Sequence, residues 1–443
     1  MVYKSKNIRQ KIVEILIHAL YKKKSIKSLI TDELPEDFKP VDRAFLLEVV
    51  YGVLRNLFYI DYLLEGFFHK KTNLPPATIN NLRCAIYQIV FMRVPDYAVT
   101  NEAVNIEKVL KGKPHLVNAI LRQFLKSKPD LSIHADNILS YLSIKYSHPE
   151  WLIKRWQNKF NLQELEAFLK ANNKKPSLTI AVKPEEREKI IKYLGEKGFE
   201  ASKTKYSPSG ILIQGHGMEI RDFLIKEDFF WTIQDEASQL VCYFAEPYSE
   251  SRLLDACSSP GGKALLSAAL MKKGKIVCIE KNEHRFHILK NNIERAKKFL
   301  PDIEFELKMQ DIFDFSGKIK FNRIILDAPC SSLGTIRRNP DVRYRCNEKE
   351  ISKLSEKQKL LLDKLSNFLS ADGIIVYSVC STEPEEGEEV IKTFLQKHQE
   401  FCTINSNYSF FKDFYIGEGM VRTYPHKNGM DGFFMARLTR RKE

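Results

Sequence analysis

Hydrophobic positions recur at helical spacing through the first part of the chain. Between residues 8 and 20, apolar side chains return at every third or fourth position, which predicts an amphipathic helix. Similar runs predict four further helices, over Asp42–Arg55, Ile79–Phe91, Val99–Leu110 and Leu116–Leu125. Short turns containing proline, glycine and lysine separate these runs. The pattern therefore predicts an all-α domain over residues 1–130.

The pattern changes between residues 131 and 240, where prolines interrupt short mixed segments. Ser177–Val182 and Ile211–Ile213 have the composition of strands, and a helical stretch, Glu185–Lys197, lies between them. We expect a linker followed by a small α+β module in this part of the chain.

From residue 241 to the end, apolar strands alternate regularly with helices. The predicted strands are Arg252–Ala256, Lys275–Glu280, Ile303–Lys308, Asn322–Asp327, Gly373–Val379 and Gly432–Leu438. Such alternation is typical of a doubly wound α/β sheet. In such sheets ligands bind at the carboxyl ends of the strands, so residues at those ends are the first candidates for chemistry.

Composition narrows the class of protein. A chain of 443 residues is long enough for two or three domains, and no window approaches the roughly 18 to 20 apolar residues of a membrane-spanning helix. The basic N-terminus precedes an apolar stretch that Lys11 and Glu14 interrupt, which favours an amphipathic helix over a signal peptide. We expect a cytoplasmic protein without a membrane partner, and a monomer.

The charge favours a polyanionic partner. Seventy Lys and Arg residues stand against 56 Asp and Glu residues, for a net charge of +14, which suits nucleic acid. The alternative is a lysine-rich composition without a binding patch. The eight cysteines are dispersed and form no C-x-x-C pair, so no metal site is expected and the thiols are either buried or catalytic.

A glycine turn follows the first strand of the predicted sheet, and a helix begins after it. The turn consists of Cys257, Ser258, Ser259, Pro260, Gly261, Gly262 and Lys263. Glycines at a strand-to-helix turn let a ligand approach the backbone, and the N–H groups of the helix start attract its polar part. The spacing is neither G-x-G-x-x-G nor a Walker loop. The alternatives are a cofactor cradle and an ordinary turn.

Three acids at successive strand ends favour the cradle. Glu280 ends the second strand, where an acid can bind both hydroxyls of a ribose. Asp311 follows the third strand and could reach an adenine edge, while Asp327 ends the fourth. Any one of them could instead cap a helix. Together with the glycine turn they predict a site for a nucleoside-type cofactor.

Two cysteines stand at the carboxyl ends of neighbouring core strands, Cys330 after Asp327 and Cys380 after the strand that follows it. Carbon 5 of cytosine is too weak a nucleophile to attack a sulfonium methyl unless a thiolate first adds to carbon 6. Cys380 could form that adduct, Asp327 could hydrogen-bond to or protonate the ring at N3, and Cys330 could assist release. The alternative is a pair of buried structural thiols.

The segments Asp255–Lys263, Leu326–Ser331 and Cys380–Thr382 together resemble the RNA cytosine-5 methyltransferases of the NOL1/NOP2/Sun family. The resemblance implies a Rossmann-like methyltransferase domain over 241–443 and S-adenosyl-L-methionine bound at the glycine turn. It also implies that the second cysteine is the nucleophile and that the first aids product release. Glu280 stands where the family usually has aspartate.

The N-terminal helices carry a second resemblance. Asp42–Arg55 and Val117–Arg122 are similar to the NusB-like RNA-binding domain. This fusion implies the bacterial branch that modifies a cytosine of small-subunit (16S) ribosomal RNA. The middle module would then correspond to the small RRM-like subdomain that precedes the catalytic domain in these enzymes.

A basic loop after Cys330 is the candidate RNA contact. Arg337 and Arg338 are expected to bind phosphates, as are Arg343 and Arg345, unless they pair with nearby acids such as Asp341. Three rival functions stay open: a cytosine-5 methyltransferase of tRNA or another RNA, a non-catalytic RNA-binding assembly factor, and a methyltransferase for proteins or small molecules. The fused helical domain disfavours the first, and the paired cysteines disfavour the other two.

Overall fold

A computed structural model of the chain describes residues 7–33, 39–68, 74–127, 131–215 and 217–441. The chain forms two compact units. The first contains Met1–Lys174 together with Ile336–Cys346, and the second contains Lys175–Thr335 and Asn347–Glu443.

The first unit is helical. Its helices are Ile8–Tyr21, Ile26–Glu33, Pro40–Arg55, Leu57–Glu65, Pro76–Phe91, Asp96–Val109, Pro114–Ser127, Ile138–Tyr146, Glu150–Gln157, Leu162–Asn173 and the short Val342–Arg345. The five helices predicted before residue 130 all form, and their apolar faces, including Ile15, Val53 and Ile86, are buried in one core. The last three helices before Lys174 belong to this unit, although the sequence analysis grouped residues 131–173 with the middle module.

The second unit begins with a small antiparallel sheet. Its strands are β1 (Leu178–Ala181), β2 (Ala201–Lys203), β3 (Gly210–Ile213) and β4 (Thr232–Ile233), in the order β2-β3-β1-β4. Helices Arg187–Glu196 and Gly217–Ile225 connect β1 to β2 and β3 to β4, which is the split βαβ arrangement of a ferredoxin-like module. The predicted strands correspond to β1 and β3, whereas β2 and β4 are too short to show an alternating pattern.

A nine-stranded mixed sheet forms the rest of the unit. Its strands are β5 (Ser251–Asp255), β6 (Gly274–Glu280), β7 (Ile303–Met309), β8 (Phe321–Asp327), β9 (Leu369–Val379), β10 (Phe401–Thr403), β11 (Tyr415–Gly417), β12 (Met420–Arg422) and β13 (Phe434–Arg440). The order is β11-β12-β13-β9-β8-β5-β6-β7, with β10 beside β13. The five strands from β5 to β9 are parallel, and β10 to β13 pair antiparallel.

Helices cover both faces of this sheet, as the predicted doubly wound fold requires. The helices are Glu236–Ala245, Gly262–Met271, Glu283–Lys297, Glu348–Ser366, Glu388–Lys397 and the short Pro425–Asn428. One apolar core contains Leu240 and Leu265, and a second contains Leu362 and Ile391. The chain runs from β5 outward through β6 to β7 and then crosses back to β8 on the other side of β5, so the switch point lies at the carboxyl ends of β5 and β8.

Candidate functional site

A polar cavity of about 180 Å³ lies at this switch point. Six of the seven turn residues singled out from the sequence line it, namely Cys257, Ser258, Ser259, Pro260, Gly262 and Lys263. Asp255 and Asp327, from the ends of β5 and β8, complete this side of the cavity. The glycine turn and the end of β8 therefore meet at one site.

Local hydrogen bonds hold the turn in place. Gly261 has φ +103°, a backbone conformation that favours glycine, and a Cβ there would also lie 2.9 Å from Leu289 Cδ1. The Ser259 hydroxyl donates to the Arg285 carbonyl at 2.8 Å, and Asn292 Nδ2 donates to the Pro260 carbonyl at 2.8 Å. The turn thus presents the start of the helix Gly262–Met271 to the cavity.

The opposite wall comes from the small sheet and was missed by the sequence analysis. It consists of Ile233, at the end of β4, and of Gln234, Asp235 and Ser238. Gln234 is 6% exposed, and its Nε2 donates to the Ser238 carbonyl at 3.0 Å. Its Oε1 is buried without a hydrogen-bond partner among the described residues. This acceptor is available to a donor on a ligand, because a buried polar atom is rarely left unsatisfied.

Asp327 connects the cavity to the sheet. Its Oδ2 accepts from Lys263 Nζ at 2.6 Å, and its Oδ1 accepts from the Ser378 hydroxyl at 3.0 Å. Burial opposes the charge of Lys263, but Asp327 more than offsets it, so the pKa of the ammonium lies above its ordinary value. The carboxylate is therefore held by one cation and one hydroxyl.

Burial raises the pKa of two other groups in the cavity lining. Asp255 is fully buried, and desolvation raises its pKa to about 6, although Lys263 and the Ser258 hydroxyl oppose the shift. Burial, with the nearby carboxylates, raises the pKa of Cys257 to about 12, so this thiol stays protonated at neutral pH.

Glu280 and Asp311 are not among the described residues that line the cavity. Glu280 accepts from the Asn282 backbone N–H at 2.9 Å, and Arg285 lies 3.5 Å from its second oxygen. Asp311 caps the short turn that follows β7 by accepting from the Phe313 N–H at 3.2 Å. Asp311 is therefore a cap, as the alternative anticipated, whereas the helix after Glu280 is capped by Asn282.

The two cysteines at the ends of β8 and β9 lie in contact. Cys330 Sγ and Cys380 Sγ are 3.3 Å apart, and all eight cysteines of the chain are free thiols. Contact with Cys380 and burial, together with the charges of Glu386 and Asp327, raise the pKa of Cys330 well above its ordinary value. Both thiols thus lie together at one edge of the sheet, as the sequence predicted.

A close backbone contact fixes the Cys380 turn. The Gly334 N–H donates to the Cys380 carbonyl at 3.0 Å, and the Gly432 N–H donates to the Gly334 carbonyl at 2.8 Å. A Cβ on Gly334 would lie 1.8 Å from the Gly432 carbonyl oxygen. Only glycine fits where these three backbone segments meet.

The basic loop after Cys330 differs from its sequence interpretation. Arg337 is 9% exposed and Arg338 is half-buried. Arg343 is fully buried and donates to carbonyls of the first unit, including that of Ser147 at 2.9 Å. Arg345 pairs with Asp341 at 2.7 Å. The expectation that Arg343 binds phosphate is therefore wrong, and the ion-pair alternative holds for Arg345.

Two tyrosines near the cysteines in the sequence, Tyr344 and Tyr377, serve structural roles. The Tyr344 hydroxyl donates to the Leu54 carbonyl at 2.8 Å, and its ring packs edge-on against Phe58. Tyr377 is fully buried in the sheet core.

In the part of the chain that the structure describes, there is no cluster of three or more potential metal ligands. None of the described helices is long and apolar enough to cross a membrane.

Comparisons with protein families cover all three parts of the chain. The model for 16S rRNA methyltransferase RsmB/F matches residues 242–439, and the NusB family model matches residues 6–126. The ferredoxin-like domain of RsmF/B-like methyltransferases matches residues 148–219.

Similar proteins extend over nearly the whole length. The ribosomal RNA small subunit methyltransferase B of Photorhabdus laumondii is 30% identical and covers 94% of each chain. A probable ribosomal RNA small subunit methyltransferase B of Bacillus subtilis is 29% identical over 99% of this chain and 100% of its own. Among solved structures, PH0851 has the same fold, with TM-score 0.78 and 24% identity over 98% of this chain and 99% of its own.

The fold, the glycine-turn cavity and these matches define an RNA methyltransferase of the RsmB/F type. More particularly, the chain belongs to the family of ribosomal RNA small subunit methyltransferase B. The resemblance stated from the sequence is confirmed, as are the NusB-like, ferredoxin-like and Rossmann-like parts of the predicted fold.

Proposed function

We propose that the chain methylates carbon 5 of a cytosine in 16S ribosomal RNA with S-adenosyl-L-methionine, and that Cys380 is the covalent nucleophile. The observation that carries this proposal is the contact of two free thiols, Cys330 and Cys380, beyond the ends of neighbouring strands β8 and β9, where the charge of Asp327 acts on Cys330. Methylation of a ring nitrogen or of a hydroxyl would need no thiol, whereas activation of carbon 5 does.

The cavity fits the proposed cofactor. Its lining is polar, it faces the start of a helix, and it contains the unpartnered Oε1 of Gln234. The structure of NSun6 from Pyrococcus horikoshii, solved with SFG, has the same fold, with TM-score 0.55 and 21% identity over 67% of this chain and 99% of its own. We therefore assign the turn residues 257–263, with Gln234, Asp235 and Ser238, to cofactor binding. We assign Glu280 to the ribose hydroxyls of the cofactor and Asp311 to its adenine.

Each proposed catalytic group has a distinct task. The Cys380 thiolate adds to carbon 6, and the electron pair of the 5,6 double bond becomes available at carbon 5. Asp327, which Lys263 holds in place, takes a proton from the Lys263 ammonium and then, as the acid, hydrogen-bonds to or protonates N3, where charge accumulates. When bound, S-adenosyl-L-methionine supplies the methyl group that carbon 5 receives.

Release reverses the addition. The proton on carbon 5 passes to water, the electron pair of that C–H bond restores the 5,6 double bond, N3 returns its added proton to Asp327, and the bond between Cys380 Sγ and carbon 6 breaks so that the thiolate is regenerated. We assign Cys330 to this step because its sulfur lies 3.3 Å from that of Cys380. The RNA phosphates are assigned to Arg338, and not to the buried Arg337.

The substrate proposal rests on the names of the relatives and on the NusB-like helices. We propose that the protein works as a cytoplasmic monomer on 16S rRNA. The test is transfer of labelled methyl from S-adenosyl-L-methionine to unmodified 16S rRNA, with tRNA in parallel, followed by nucleoside analysis. We expect 5-methylcytidine in the 16S rRNA alone.

The other outcomes of this test would each contradict one part of the proposal. Label in tRNA alone would retain the chemistry and overturn the substrate. Label in neither RNA would favour the non-catalytic assembly factor. A different methylated nucleoside would contradict the proposed role of Cys380.

A further inference from the structure

A buried carboxylate lies beneath the two cysteine turns. Glu386 ends the short turn Pro384–Glu386, and its side chain is fully buried. Its Oε1 accepts from the Ser331 backbone N–H at 2.8 Å and from Gln358 Nε2 at 3.2 Å. Its Oε2 accepts from the hydroxyls of Ser331 and Ser381, each at 2.5 Å. Four donors therefore satisfy this carboxylate without any cation among them.

The donors are informative because of their positions in the chain. Ser331 directly follows Cys330, and Ser381 directly follows Cys380. The two hydroxyls also lie 3.2 Å from each other. One carboxylate thus binds the residue after each cysteine, although the turns come from different strands and are separated by 50 residues.

The same network reaches the residue before Cys330. Gln358, which donates to Glu386, also donates to the Pro329 carbonyl at 2.9 Å. The Tyr377 hydroxyl donates to the main-chain carbonyl of Glu386 at 2.5 Å, which ties the carboxylate to β9. The Cys330 turn is therefore fixed on both sides, and the Cys380 turn is fixed on the side that follows the thiol.

We propose that Glu386 is the positioning residue that sets the separation and orientation of the Cys330 and Cys380 thiols by binding Ser331 and Ser381. This inference rests on the proposed function for its catalytic consequence. It assigns Glu386 no contact with the RNA or the cofactor.

Electrostatics support this role. Burial raises the pKa of Glu386, while its four donors oppose that shift. The charge of Glu386 in turn contributes to the raised pKa of Cys330. Glu386→Gln removes that charge and should lower the pKa of Cys330, so the alkylation rate of Cys330 should rise at a lower pH in the variant. The disulfide rates in the second test are therefore compared after division by this alkylation rate, so that a change in thiol ionisation is separated from a change in thiol position.

The first test compares Glu386→Gln and Glu386→Asp with Glu389→Gln, an exposed carboxylate on the next helix. The amide of Glu386→Gln places donors against donors, so the turns should separate. We expect single-turnover methyl transfer to fall about 100-fold, as a misplacement of about 1 Å can cause. Cofactor affinity should stay unchanged, Glu386→Asp should recover part of the rate, and the control should match the parent. A Glu386→Gln rate equal to the control would overturn the inference.

The second test measures the thiol separation without methyl transfer. Diamide takes two electrons and two protons from a pair of thiols, is reduced to the hydrazine, and leaves a disulfide. The Cys330–Cys380 disulfide, followed by peptide mass spectrometry, should form at least about tenfold more slowly in Glu386→Gln than in Glu389→Gln. An equal rate would overturn the positioning role.

The two tests separate the inference from the proposed function. If the parent methylates no RNA but Glu386→Gln still slows disulfide formation, the positioning role stands and the proposed function fails. If the parent methylates RNA and Glu386→Gln alters neither rate, only the inference fails. Should Glu386→Gln not fold, the double variant Ser331→Ala, Ser381→Ala removes the hydroxyl donors and leaves the carboxylate in place. It should lower both rates, and unchanged rates would overturn the inference.

Discussion

Two carboxylates at the same edge of the sheet are held in different ways. Asp327 accepts from the ammonium of Lys263 and is partly open to the cavity. Glu386 is fully buried, and its donors among the described residues are all neutral and include both serines next to the cysteines. A carboxylate paired with one cation at a cavity is suited to interact with substrate, whereas one bound by neutral donors from two turns is suited to fix those turns.

The two carboxylates should therefore act at different points of the reaction. Changing Asp327 should affect the chemistry at the ring and leave the thiols where they are. Changing Glu386 should move the thiols and leave the cofactor cavity intact, because neither Glu386 nor its partners Ser331, Ser381 and Gln358 are among the described residues of the cavity lining.

Cys380→Ala should give the largest effect, since it removes the nucleophile and leaves both carboxylates in place. We expect methyl transfer to fall on the order of 10⁴-fold or more. Cofactor affinity should match that of the parent, because Cys380 is not among the described residues that line the cavity. Rates are measured with labelled S-adenosyl-L-methionine and affinity by calorimetry. Retained activity would refute the nucleophile assignment.

Asp327→Asn should slow the chemistry without moving the thiols. It should lower kcat about 100-fold or more, as loss of a positioned acid or base does, and it leaves Lys263 without its anionic partner. Disulfide formation between Cys330 and Cys380 under diamide should proceed at the parent rate. A slowed disulfide would show that Asp327 also positions the thiols, and the distinction from Glu386 would be lost.

Asp255→Asn should give the smallest effect, which appears in stability. The folded-state pKa of Asp255 is raised to about 6 by burial, so the protonated form contributes stability at low pH that is lost as pH rises from about 4 through 6. Deprotonation should cost about 3 kcal/mol over this window. The free energy of unfolding of Asp255→Asn, relative to the parent, should therefore improve with rising pH in urea titrations. A difference that does not vary with pH would contradict the assigned pKa.

Much of the fold and part of the site follow from local sequence. The strands that end at Asp255, Asp327 and Val379 were predicted to within a few residues, because apolar runs of five to eleven residues between turns carry a strong signal. Their parallel alignment brings Cys330 and Cys380 to one edge of the sheet, and this needed no knowledge of individual contacts.

The missed residues depend on distant parts of the chain. Gln234 lines the cavity because the small sheet packs beside it, and the two residues of β4 give no periodic signal. Arg343 is buried and donates to carbonyls of residues nearly 200 positions earlier in the chain. The neighbouring basic residues in the sequence suggested an RNA contact instead. Glu386 carries no comparable signal in the sequence, since its four donors come together only in the folded chain.

The most direct test of the covalent mechanism uses Cys330→Ala, which keeps the proposed nucleophile and removes the group assigned to release. The variant is incubated with 16S rRNA and S-adenosyl-L-methionine, and the products are separated on a denaturing gel and digested for mass spectrometry. We predict a shifted protein band that carries a methylated cytidine on the peptide containing Cys380. Absence of the adduct would contradict the release role of Cys330, and a cytidine attached to any other residue would contradict Cys380 as the nucleophile.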